Sequence, residues 1–208
     1  VNSFSAVMQQ RHEPHDSLDD FPTPPWATRA LCQWLQEQRG LPLQELSCRE
    51  PCANRGYMVR PLRESFGTVL ASDVHDYGVG FEVQDFLFPI TISSVDFTCM
   101  NPPFRLAEEF VHRALQTSHI GCAAILRTAF LEGKARFSTL FNSHPPSFVL
   151  QFAERVPMCK GRVDPELASA TAYAWFVWLK GDHDTRLRWI APCRKRLERS
   201  GDYSEMSP

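Results

Sequence analysis

The sequence predicts an α/β protein built on a mainly parallel sheet of seven strands, the last two of which run antiparallel to each other. Three observations carry this. From residue 24 onward, short apolar segments alternate with segments of helical period, the pattern of strands joined by crossover helices. The last two apolar segments, 147–153 and 172–180, are separated by residues 154–171, which show no helical period, so an antiparallel pair with a long surface loop fits better than another crossover. The chain has 208 residues, 43% hydrophobic and 22% charged, enough for one sizeable core without disulfides or metal.

Taken in order, residues 1–20 show little apolar periodicity and read as a flexible N-terminal arm. After Pro24, Trp26, Ala30, Leu31, Trp34 and Leu35 recur on one helical face, and Gly40 stops the helix. Strands are expected over 46–50, 68–73, 81–85, 94–99, 122–127, 147–153 and 172–180, and helices over 57–64, 105–116 and 134–141. Residues 21–181 then form one domain. Residues 182–208, rich in Arg and Lys, read as a basic C-terminal tail.

Composition narrows the function. A formal net charge of −2 argues against a polycation that coats nucleic acid or an anionic membrane, so any nucleic-acid contact must be a local patch. The apolar stretches are far shorter than the roughly 20 residues of a membrane helix, so no membrane role is expected. Residues 1–10 lack the basic-then-apolar order of a signal peptide, and a start at Val1 reads as a trimmed N-terminus. Seven cysteines without a CxxC pair read as reduced thiols of a cytosolic protein. Cys48 and Cys52 with His75 lack a second ligand pair, and no metal site is expected.

The most informative motif is Asn101-Pro102-Pro103-Phe104, directly after the fourth strand. Two prolines cannot continue a ladder, and they impose a stiff turn at a strand's carboxyl end, where α/β sheets bind ligands. Such a turn holds the Asn101 amide, the Pro102 carbonyl and the Phe104 ring in fixed relation. An exocyclic amine on an aromatic base is a poor nucleophile because its lone pair is delocalised. Two acceptors gripping its N–H bonds draw it toward tetrahedral geometry while an aromatic ring stacks on the base. The simpler alternative is a turn that only caps the next helix; its position at a strand end argues against that.

Upstream, Glu50-Pro51-Cys52-Ala53-Asn54-Arg55-Gly56 follows the first strand and precedes a helix, where a tight turn brings backbone close to a cofactor. Asp73 ends the second strand, where an acid can accept from ribose hydroxyls, and Asp85-Phe86 closes the third, suited to an adenine amine and face. Each acid alone could be a solvated strand end. Four such features on successive strand ends are hard to reconcile with that.

These residues resemble the S-adenosylmethionine-dependent amino-methyltransferases of DNA, in particular the small adenine-N6 type of phages and prophages. Asp20-Phe21-Pro22-Thr23-Pro24-Pro25-Trp26 is similar to that family's N-terminal cofactor segment, Glu50 to Gly56 to its glycine loop, and Asn101 to Phe104 to its catalytic (D/N/S)PP(Y/F/W) motif. The resemblance implies a Rossmann-like seven-stranded class I methyltransferase sheet with a reversed final hairpin. It also implies Thr23 and Glu50 near the methionine half of S-adenosylmethionine, Asn54 and Gly56 in the cofactor loop, Asp73 at the ribose, and Asp85 with Phe86 at the adenine. Asn101 and Pro102 would hold the target amine and Phe104 would stack on a flipped base of duplex DNA, in a bacterial cytoplasm. Asn54 departs from the family, standing where its loop usually begins with glycine; Asn is the non-glycine residue most tolerant of positive φ.

A target-recognition domain would be expected after the last strand, where about 28 residues follow Lys180, so target contacts are sought elsewhere. Candidate substrate contacts are Arg127 at the fifth strand's end, suited to the target or the backbone, and, suited to phosphate, Arg155, Lys160 and Arg162 in the 154–171 loop and the basic tail, which imply short or relaxed sequence preference or recognition borrowed from a partner. Tyr173, Trp175, Phe176 and Trp178 read as core rather than as a stacking platform. The rivals keep the chemistry on another planar amine (cytosine N4, an RNA base or a protein glutamine) or make the chain an inactive nucleic-acid-binding relative. A nicotinamide enzyme is more distant, because the motif would have no task.

Overall fold

The computed structural model describes residues 19–166 and 170–204. Helix α1 (Pro25–Arg39) starts on proline, whose missing N–H costs nothing in a first turn, and ends at Gly40 in the left-handed region at φ 65°. Strand β1 (Ser47–Glu50), helix α2 (Val59–Ser65), β2 (Thr68–Asp73), the two-residue β3 (Glu82–Val83) and β4 (Val95–Met100) follow. Then come α3 (Ala107–Thr117), β5 (Ser118–Arg127), a short α4 (Lys134–Arg136) that runs into a π turn (Phe137–Phe141), β6 (Phe148–Phe152) and β7 (Tyr173–Leu179). The chain closes with β8 (Arg186–Ile190) and α5 (Arg194–Leu197).

The sheet order is β3-β2-β1-β4-β5-β7-β6-β8. β1 to β5 pair in parallel, and β7 runs antiparallel to both β5 and β6, which is the expected reversal. The seven expected strands are present. β5 begins four residues before the expected 122, and β3 is shorter than 81–85.

Alternate side chains of the central strands feed two cores. Cys48, Phe97, Cys99, Ile125 and Trp175 pack with Trp26, Leu31 and Leu35 of α1. Met100, Cys122, Leu126, Phe176 and Trp178 pack with Phe110, Val111 and Ala114 of α3. Burial on both faces explains why β5 and β7 are continuous apolar runs rather than alternating ones. It also leaves Tyr173, Trp175, Phe176 and Trp178 in the core. Among the described residues no helix is long and apolar enough to cross a membrane.

Two expected boundaries shift. Residues 182–208, expected as a tail beyond the domain, supply an eighth strand: β8 lies parallel to β6, with Ile190 opposite Phe152. Ile190 and Cys193 are buried. Buried Asp202 takes a two-pronged ion pair from buried Arg29 of α1, Nη1 to Oδ2 at 2.7 Å and Nη2 to Oδ1 at 2.8 Å. This edge strand is largely exposed and carries arginines at 186 and 188, so it does not read as an apolar run. At the other end, the arm expected over 1–20 reaches the domain at Asp19 and Asp20, both tied to the site described next; residues 1–18 lie outside the described residues.

Candidate active site

Strand order reverses between β1 and β4, and the crevice outside the carboxyl ends of such strands is where open α/β sheets bind ligands. A cavity of about 220 Å³ opens there. Its wall includes Thr23, Asn54, Asp73, Asp85, Phe86, Asn101 and Pro103, so the structure brings seven of the expected site residues together from five separate stretches of chain. Glu50, Gly56, Pro102 and Phe104 stand outside that wall.

Asn101 immediately follows β4. Its Nδ2 donates to the Phe21 carbonyl at 2.7 Å and to Thr23 Oγ1 at 3.0 Å. Both amide hydrogens are thereby engaged, which fixes the amide's orientation and leaves Oδ1 as its acceptor. The Phe104 N–H donates to Asp19 Oδ2 at 2.6 Å, so the turn is held from both ends by the same short segment. The Phe104 ring packs against Phe21 and Tyr173, with ring centres 5.8 and 6.4 Å away, and the Arg127 guanidinium lies 4.1 Å from its centre.

The loop after β1 turns at Asn54, with φ 50°, and Gly56, with φ 83°. Asn54 thus adopts the left-handed conformation that a glycine would, and its side chain is spent on the turn. Nδ2 donates to Asp20 Oδ1 at 2.7 Å, and Oδ1 accepts from the Arg55 N–H at 2.7 Å. Arg55 also pairs with Asp20 at 3.0 Å and lies over the Tyr77 ring. Asp73 Oδ2 accepts from the Asn54 N–H at 2.9 Å, coupling the ends of β1 and β2.

Among the described residues the cavity wall carries Asp19, Asp20, Asp73 and Asp85 and no Lys, Arg or His. Burial raises the Asp73 carboxyl, opposed by hydrogen bonds from the His75 and Asn54 amides. Burial pushes the Tyr77 phenol up to about 12, with Asp20 and Asp73 adding to the shift. Glu50 is fully buried behind Pro51 and Cys52. Its Oε1 accepts from the Cys52 N–H at 2.8 Å, and its Oε2 has no partner among the described residues. Burial lifts its carboxyl well above the usual range, and the charge of Asp73 lifts it further.

Lys160 and Arg162 are exposed on the 154–171 loop, which meets the N-terminal segment where the Gly161 N–H donates to the Asp20 carbonyl at 2.9 Å; Arg162 pairs with Asp164. Sequence reasoning missed Asp19, Tyr77 and Gln84 as wall residues and gave Asp20 only as the start of the segment resembling a cofactor segment, with no role of its own. Acids next to Phe21-Pro22-Thr23 were the available signal for Asp19 and Asp20; Tyr77 and Gln84 sit in loops with none.

No protein-family model and no curated protein matches the chain. Solved structures are similar in fold. A modification subunit described as that of a type I restriction enzyme, from Vibrio vulnificus, superposes with a TM-score of 0.58 at 12% identity over 88% of this chain and 50% of its own. The methyltransferase subunit of a type I restriction-modification system from Streptococcus thermophilus gives 0.56 at 12% identity over 90% of this chain and 50% of its own. A Pyrococcus horikoshii protein described as an RNA methyltransferase gives 0.56 at 16% identity, over 81% of this chain and 91% of its own. The chain spans about half the length of the two restriction-system subunits. At these identities the likeness is one of fold: a Rossmann-like class I methyltransferase sheet.

Proposed function

We propose that this chain transfers the methyl group of S-adenosylmethionine to the N6 amine of adenine in DNA, with short or relaxed sequence preference. The observation that carries the reading is the fixed amide of Asn101. With both N–H groups held by Phe21 and Thr23, its carbonyl oxygen is the acceptor offered to a planar NH2. The Pro102 carbonyl, next along a turn that proline makes stiff, is the second acceptor, and Phe104 the aromatic face. Gripped this way, an amine lone pair turns out of conjugation toward an electrophile, and no general base has to act first.

The wall suits the cofactor. Among the described residues the wall carries four carboxylates, one of them paired with Arg55, and no basic side chain, which favours a cationic ligand such as a sulfonium with an ammonium group over the pyrophosphate of a dinucleotide. Asp73 would take the ribose, Asp85 with Phe86 the adenine, Asn54 and Gly56 the close backbone approach. The unpartnered Glu50 Oε2, behind Pro51 and Cys52, and Thr23 would serve the methionine half. When bound, the cofactor supplies an electrophilic methyl group; the chain's residues hold and aim the amine. Asn54 at φ 50° preserves the turn, which speaks against an inactive relative. Arg127, Lys160 and Arg162 would contact the nucleic acid.

The test is purified protein with labelled S-adenosylmethionine and unmethylated DNA, followed by nucleoside mass spectrometry, with Asn101→Ala in parallel. N6-methyladenine from the parent protein alone supports the reading. Transfer to cytosine, RNA or protein instead reassigns the acceptor, and failure to bind the cofactor refutes the function.

A further inference from the structure

Arg127 ends β5, beside the strand that delivers Asn101-Pro102-Pro103-Phe104. Its guanidinium carbon lies 4.1 Å from the centre of the Phe104 ring, a stacking separation. Among the described residues it forms no ion pair, and its Nε is buried without a hydrogen-bond partner. Arg136 and Arg186 also lie over a ring, Phe130 at 4.0 Å and Phe148 at 4.1 Å, with a buried Nε that has no partner among the described residues. Each of these two spends an Nη elsewhere, Arg136 on the Phe130 and Glu132 carbonyls and Arg186 on Asp182; Arg127 spends none among the described residues. A planar, delocalised cation whose donors are unspent, laid on an aromatic face that a flat acceptor ring needs, has the shape of a stand-in for that ring.

Resting on the function proposed above, we propose that Arg127 is a placeholder for the target base. It covers Phe104 while the site is free of acceptor. When the flipped adenine takes its place on the ring, it turns its unspent donors to a backbone phosphate of the same nucleic acid. Arg127 is then a positioning residue with two successive partners, Phe104 and phosphate. The exchange keeps Phe104 covered in the absence of acceptor and couples base entry to phosphate capture.

This predicts effects of opposite sign on two acceptors. On duplex DNA, Arg127→Met loses the phosphate contact. The slope of log affinity against log salt falls by about 1, and KM rises while kcat holds. On adenosine, which carries no phosphate, the same variant no longer has a cation to displace, and kcat/KM rises by about two- to five-fold. Arg127→Lys keeps the charge and retains the parent's salt slope. S-adenosylmethionine affinity, measured by calorimetry, is the same in all three proteins. A parent salt slope in Arg127→Met, or a fall in kcat/KM on both acceptors, overturns the placeholder role while leaving the methyl transfer standing. A parent protein that binds cofactor yet transfers nothing to DNA overturns the proposed function and this inference with it.

Discussion

The Phe21 carbonyl oxygen, which can only accept, lies 2.7 Å from Asn101 Nδ2 and sets which way the amide after β4 faces, while the Thr23 hydroxyl takes its second hydrogen at 3.0 Å. Rotating that amide would put two N–H donors where an acceptor is needed and set its oxygen against the Phe21 carbonyl. The polarity of the candidate catalytic group is therefore decided 80 residues away in sequence.

Removing this hydroxyl should act on turnover. Thr23→Val keeps the shape and deletes one hydrogen bond of about 1 kcal/mol, which predicts a fall in kcat of about five-fold. Asn101→Ala removes the acceptor and should lower kcat by about 100-fold or more, on the scale of other preorganised polar groups. Cofactor affinity should be unchanged in Asn101→Ala and lowered in Thr23→Val, because Thr23 also lines the cavity where it would serve the methionine half of the cofactor. Steady-state kinetics with calorimetry checks this, and normal transfer by Asn101→Ala would refute the assigned role.

Asp73 has a second task besides the proposed ribose contact, because it accepts from the Asn54 and His75 amides. Asp73→Asn replaces a charged acceptor, whose hydrogen bonds are worth about 1.5–3 kcal/mol. Cofactor affinity should drop by at least ten-fold with the fold intact. Titration calorimetry reads the affinity and circular dichroism the fold; parent-like affinity would remove Asp73 from the site.

Glu50 predicts a pH dependence. Its carboxyl is raised by burial, so the native state keeps its proton at pH values where the unfolded chain has released it. Its contribution to stability is therefore greatest at low pH. It declines as pH rises from about 4.3, the ordinary glutamate value, and levels off above the raised native value. Asp73 adds a contribution of the same sign from its own raised carboxyl. Glu50→Gln should make the cofactor-free protein more stable at neutral pH and flatten this slope, while weakening cofactor binding. Urea denaturation across pH measures the slope; an unchanged slope in Glu50→Gln would count against a buried, proton-holding Glu50.

The Arg29 and Asp202 pair tests whether the C-terminal stretch belongs to the fold. Both side chains are buried, so Asp202→Ala leaves a buried cation with one of its two acids, Glu64 at 2.8 Å. A loss of about 3 kcal/mol is expected, visible as a lower denaturation midpoint. A change within about 0.5 kcal/mol, as for an ordinary surface site, would show the stretch to be dispensable.

The middle of the sheet was legible in the sequence because β5 and β7 are buried on both faces and so read as plain apolar runs between helical segments. β8 was hidden because an edge strand with exposed Leu187 and Trp189 and two arginines carries no such signal. The long loop between β6 and β7 was legible from its lack of period, and the antiparallel placement of β7 followed from it.

The sequence by itself determined the chemistry on offer at strand ends: an amide, two prolines and a ring after β4, acids after β2 and near β3, a permissive Asn in the first loop. Those are local properties, set by backbone stiffness and side-chain type. Only the tertiary structure decided how they are aimed. Asp19 grips the Phe104 amide, Asp20 locks Asn54 and Arg55, Thr23 orients Asn101, and Arg127 covers Phe104. Each of these contacts joins residues far apart in the chain, and hydrogen-bond direction and ring stacking depend on distances that no spacing along the sequence encodes.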